Sequence, residues 1–89
     1  MVQITQSSSF KRAYKKRVKY NKDLEELFWK KVEVFIKDPY DKSLRTHKLS
    51  GKLEGLWSFT VQYDCRVIFF FEDYEKVVFT DIGSHEEVY

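Results

Sequence analysis

Hydrophobic positions change period once along the chain, and the change divides it into two kinds of structure. In FKRAYKKRVKY, the residues Phe10, Ala13, Tyr14 and Val18 fall on one stripe, with Lys11, Arg12, Lys15, Lys16 and Lys19 around the rest of the circumference. That spacing predicts an amphipathic helix, and the serines Ser7, Ser8 and Ser9 supply its N-cap. A second stripe runs through Leu24, Leu27, Phe28, Lys31, Val32, Phe35 and Ile36. Asp23 and Glu26 read as a capping box at its start, and it ends near Asp38 because the residue before Pro39 is pushed out of helical geometry. The short connection YNKD makes the two helices a hairpin.

From Trp57 onward the period becomes two. Trp57, Phe59, Val61 and Tyr63 alternate with Ser58, Thr60 and Gln62, which predicts a strand with one face on a core. RVIFFFE gives a second strand with Val67, Phe69 and Phe71 on one side, and KVVFTDI gives a third after the polar EDYE turn. Strands in such close succession form an antiparallel meander. Val2 to Thr5 form a short first strand, and RTHKLSGKLEG, with two glycines and three cations, contains a short strand leading into a loop. The expected fold is therefore α+β: an N-terminal strand and a two-helix hairpin packed on one face of an antiparallel sheet. Its other face is expected to leave Ser58, Thr60, Gln62, Arg66 and Ile68 open to a partner.

Composition supports one core and no more. Of the 89 residues, 43% are hydrophobic, enough for a single core but not for a second, so residues 1–89 are expected to form one domain. The lone Cys65 excludes an internal disulfide or a cysteine-built zinc site and suits a reducing cytoplasm. The longest apolar run, VIFFF, is far short of the roughly 18 residues of a membrane span, and MVQITQSSSFKR lacks the pattern of a signal peptide. A cytoplasmic protein with no membrane partner is expected.

Charge changes the picture more. Residues 1–52 hold 14 Lys/Arg against 6 Asp/Glu, whereas 53–89 hold 2 against 8, so the halves carry +8 and −6. No acid occurs in residues 1–22, where Lys11, Arg12, Lys15, Lys16, Arg17, Lys19 and Lys22 cluster. This surface suits a polyanion or an acidic partner, with Lys48 and Lys52 extending it; the alternative is a solvated basic helix.

The chemistry-bearing residues form a diffuse set. The two histidines lie 38 residues apart with no metal-ligand spacing, and no glycine-rich phosphate loop or serine elbow is present. What remains is His47, Asp64, Arg66, His85 and Tyr89. Each also has a plain reading: His47 as a loop histidine, Asp64 as a turn residue, Arg66 as an edge cation, Tyr89 as a packing anchor. Ser84 and Glu87 fit a capping box, so SHEEV makes one helical turn that brings His85 and Tyr89 together. On RNA such a set has a meaning. Cleavage by the 2′-hydroxyl needs a base, a cation at the phosphate and an acid for the leaving oxygen, and an aromatic ring can hold an unstacked base.

Three segments carry a resemblance: H-x-L-x-G from His47, D-x-R-V-I-F from Asp64, and G-x-H-x-x-V-Y from Gly83 to Tyr89. With the order of elements, they make the chain resemble the RelE/ParE superfamily of bacterial toxin–antitoxin toxins, in particular its RelE/StbE and YafQ-like branch. The resemblance implies a small α+β toxin that enters the ribosomal A site, cuts messenger RNA without a metal ion or other cofactor, and is neutralised by a cognate antitoxin. It implies acid/base or phosphate-site roles for His47, Asp64 and His85, a phosphate contact for Arg66 and a substrate contact for Tyr89. The chain departs from the YafQ-like pattern at Ser58 and Thr60, where an acid and a histidine are usual, and at Tyr63, where a proline is usual. Two rival functions follow: a ParE-type toxin acting on DNA gyrase, and a weakly active member serving mainly to bind its antitoxin.

Overall fold

The computed structural model describes residues 1–89. Strand β1 (Gln3–Gln6) leads into helix α1 (Ser8–Arg17), and helix α2 (Lys22–Lys37) follows. Strands β2 (His47–Lys48), β3 (Trp57–Gln62), β4 (Cys65–Phe71) and β5 (Lys76–Gly83) come next, before the single turn α3 (His85–Val88). No helix is long and apolar enough to cross a membrane.

Local chemistry accounts for most boundaries. The Ser7 hydroxyl accepts the Phe10 amide at 3.1 Å and starts α1. Helix α2 starts earlier than the sequence predicts. Its cap is Asn21, whose side chain accepts the Leu24 amide at 3.1 Å, so Asp23 lies inside the first turn and no Asp23–Glu26 capping box forms. Asp23 and Glu25 there favour the positive end of the helix dipole. Asp38 ends α2 in an extended conformation, as Pro39 requires.

The sheet has the order β1-β5-β4-β3-β2. Strands β2 to β5 pair antiparallel, as the meander predicts, whereas β1 joins the edge of β5 in parallel. The α1–α2 hairpin lies between β1 and its partner in sequence, which is what a parallel connection requires. Both helices bury their stripes on one face: Phe10, Phe28, Phe35, Phe59, Phe69 and Phe79 are all at most 1% exposed and pack ring against ring.

The opposite face is less open than its pattern predicts. Ser58 and Ile68 are buried, at 0% and 2% exposure. They stand in the middle of the cross-strand row His47–Ser58–Ile68–Asp81, where neighbours from both flanking strands shadow them. Thr60, Gln62 and Arg66 do reach the surface.

Candidate active site

The β3–β4 hairpin builds the centre of the site. Thr60 pairs with Arg66 but Gln62 pairs with Cys65, so β3 carries one extra residue near the tip. Neither turn residue, Tyr63 nor Asp64, has positive φ. The twist that a tight hairpin normally takes from its turn is therefore supplied by the bulge. As a result Tyr63 and Asp64 lie on the same side as Arg66, whose cross-strand neighbours are Thr60 and Gly83.

Two clefts meet at this hairpin. One, of about 570 Å³, is lined by Lys31, Arg45, His47, Thr60, Tyr63 and Arg66 among others. The other, of about 510 Å³, is lined by Tyr63, Asp64, Arg66, Ser84, His85 and Glu86. Tyr63 and Arg66 belong to both. Both ion pairs of the protein belong to Arg17, so the Arg66 guanidinium has no carboxylate partner and its donor fork is free for an anion.

His47 lies on β2 and is fixed by the turn before it. Lys42–Leu44 form a short 3-10 turn, closed by Arg45 in the left-handed region at φ 52°. The Arg45 carbonyl then lies 2.9 Å from His47 Nδ1. A carbonyl can only accept, so Nδ1 carries the proton, and in the neutral ring Nε2 is left as a proton acceptor.

His85 lies on α3, where the capping box forms as the spacing predicts. The Ser84 hydroxyl accepts the Glu87 amide, and the Glu87 carboxylate accepts the Ser84 amide at 2.8 Å. The His85 and Tyr89 rings meet edge to face with centroids 4.4 Å apart. Ser84 also holds the Glu87 carboxyl below its ordinary value, mainly through that backbone N–H. Cys65 faces the core beside Asp64; burial pushes its thiol up to about 11, so it stays protonated at neutral pH.

His47, Asp64, Arg66 and His85 are thus gathered around one hairpin, with Tyr89 against His85. Lys48 and Lys52 are not part of this group. Lys48 alternates away from His47, with its ammonium 5.5 Å from the Trp57 ring centroid, and Lys52 sits in the 3-10 turn Gly51–Leu53. Lys11, Arg12, Lys15 and Lys16 form the exposed side of α1, and Lys19 is exposed in the turn that follows it. Arg17 leaves that basic set: it is half-buried, with Nη1 3.1 Å from Asp81 Oδ1 and Nε 3.2 Å from Glu87 Oε2.

Sequence reasoning misses Lys31 and Arg45 as cleft residues. A signal exists for Lys31, which interrupts the apolar stripe of α2 and reaches the Ser43 carbonyl at 3.4 Å. No pattern marks Arg45, because a left-handed non-glycine residue has no sequence signature.

Comparison with known proteins bears on the family and the fold. The family model described as the bacterial toxin of type II toxin–antitoxin system, YafQ, matches residues 2–89. No curated protein sequence matches the chain. Among solved structures, YafQ from E. coli superposes with a TM-score of 0.79 at 21% identity, over 100% of this chain and 99% of its own. A metal-bound toxin from Helicobacter pylori gives 0.79 at 25% identity over the whole of both chains. The DinJ–YafQ complex of E. coli gives 0.74 at 21% identity, over 100% of this chain and 99% of that one. With a family model spanning all but its first residue, the chain belongs to the YafQ family of bacterial toxins of type II toxin–antitoxin systems.

Proposed function

We propose that this toxin is an endoribonuclease that cuts messenger RNA on the ribosome, with the substrate's own 2′-hydroxyl as nucleophile and no metal ion in the reaction. One observation carries the reading: an unpaired arginine, Arg66, is shared by two clefts that hold His47 on one side and His85 on the other. A phosphate held on Arg66 has one imidazole toward its 2′ side and the other toward its 5′ side. That is the arrangement an in-line displacement needs.

In this mechanism His47 Nε2 takes the 2′-hydroxyl proton, since Nδ1 is committed to the Arg45 carbonyl. The 2′-oxygen attacks phosphorus, and the bond to the 5′-oxygen breaks as His85 gives that oxygen a proton. The products are a 2′,3′-cyclic phosphate and a 5′-hydroxyl. Arg66 stabilises the charge on the equatorial oxygens, Asp64 shares the His85 cleft, where its negative charge favours the imidazolium, and Tyr89 braces the His85 ring. The exposed cations of α1 give ribosomal RNA a surface whose binding weakens with salt. The toxin acts in the cytoplasm and is held in check by an antitoxin. Solved complexes of related folds support that partner: DinJ with YafQ, and YefM with YoeB of Staphylococcus aureus.

Primer extension on translated messages after induction is expected to show new 5′ ends within codons, absent for His85→Ala and Arg66→Ala. Growth arrest with intact messages would refute the reading. Inhibition of gyrase supercoiling at near-stoichiometric protein would replace it with a ParE-type action.

A further inference from the structure

The helix that carries His85 has little to hold it in place. α3 is one turn long and has no buried residue, and a turn this short has no stability of its own. Arg17, at the far end of α1, reaches it. Arg17 Nη1 donates to the Ile82 carbonyl at 2.7 Å and to Asp81 Oδ1 at 3.1 Å. Its Nε lies 3.2 Å from Glu87 Oε2, while Glu87 Oε1 accepts the Ser84 amide. One guanidinium thus ties together α1, the end of β5 and the capping-box carboxylate of α3.

Gly83 makes room for this contact. Its backbone has no positive φ, so conformation does not demand glycine. A Cβ there would stand 2.9 Å from both Arg17 Nη1 and Glu87 Oε1. The pair lies across the strand where a side chain would otherwise be, and Gly83 is the cross-strand neighbour of Arg66.

We infer that Arg17 is a positioning residue of the active site: through Glu87 and the Gly83 notch it sets α3, and with it His85 and Tyr89, relative to Arg66. The inference rests on the nuclease reading for its effect on rate, but the geometry it claims can be tested separately. Arg17→Ala is expected to lower kcat on programmed ribosomes by about 10- to 100-fold, with a smaller change in KM, as ångström-scale misplacement of a reacting group does. In nuclear magnetic resonance spectra the ring-current displacement of the His85 ring protons by Tyr89 should collapse in Arg17→Ala. Gly83→Ala and Glu87→Gln, which leave Arg17 in place, should show the same pattern in milder form. They carry the test if Arg17→Ala does not fold, and unchanged melting in them separates positioning from global stability.

Wild-type kcat and an unmoved His85 signal in these variants would overturn the inference. If the wild-type protein leaves messages intact, the nuclease reading falls, and the His85 signal alone decides whether Arg17 positions α3.

Discussion

At the scale of single residues, the cleft around His47 depends on a strained neighbour. Arg45 holds a left-handed conformation that costs a non-glycine residue about 1–2 kcal/mol, and in that conformation its carbonyl fixes the His47 tautomer. Arg45→Gly would relieve the strain but add chain entropy to the unfolded state, for a net gain of about 0.5–1 kcal/mol. The same change removes a cation from the cleft. Thermal melting should rise while KM for programmed ribosomes also rises; a fall in melting temperature would show that the arginine side chain itself holds the turn. The types of the central residues were legible in sequence, because D-x-R-V-I-F and S-H-E-E-V-Y each place their chemistry within a few positions. Partnerships across long sequence separations were not. Arg17 reads as one more cation on a basic helix, and only the fold brings it to Asp81 and Glu87, 64 and 70 residues away.

At the scale of elements, helix ends and the helix pair set the pH response. The Glu87 carboxyl is held below its ordinary 4.5 in the folded protein, first by the Ser84 amide. Its contribution is therefore complete above pH 4.5 and is lost as pH falls through the lower folded value. Amide exchange at Val88 and Tyr89, whose N–H groups bond Ser84 and His85 carbonyls, should accelerate in that acid window before the core yields. Ser84→Ala should weaken the same turn by about 1 kcal/mol and lower cleavage without shifting the melting temperature, since α3 has no buried residue. Between α1 and α2 the sign is opposite. Tyr14 donates to Glu25 Oε2 at 2.6 Å, and burial, aided by Glu25, pushes its hydroxyl from 10.0 to about 12. Stability from that proton is intact below pH 10 and declines as pH rises toward 12. Tyr14→Phe should lose about 1 kcal/mol at neutral pH and flatten the alkaline decline; an unchanged slope would assign it to other groups. The helices and the S-x-x-E cap were readable because periodicity and capping are local, whereas the start of α2 was misplaced because Asn21 and Asp23 are both good caps.

At the scale of the whole molecule, six phenylalanines hold the helix hairpin on the sheet. Phe35 is fully buried, with its ring centroid 4.9 Å from Phe59, 5.0 Å from Phe69 and 5.6 Å from Phe79. Phe35→Ala should cost about 3–5 kcal/mol, against roughly 4–13 kcal/mol for the total stability of a chain this long. Urea denaturation should show the midpoint cut by about a quarter or more, and a smaller drop would mean that neighbouring rings collapse into the gap. The fold class was legible because the change of period from 3.6 to 2 is unambiguous here. The parallel docking of β1 was not, because a four-residue strand of mixed polarity carries no mark of its partner. That docking governs the order of events during synthesis. β1 finds its place only on β5, and α3 follows β5, so the first strand waits unpaired until residues 76–88 have been made. A chain with this topology cannot complete its sheet from the first strand onward: β1 stays an unpaired edge until the last strand emerges to receive it.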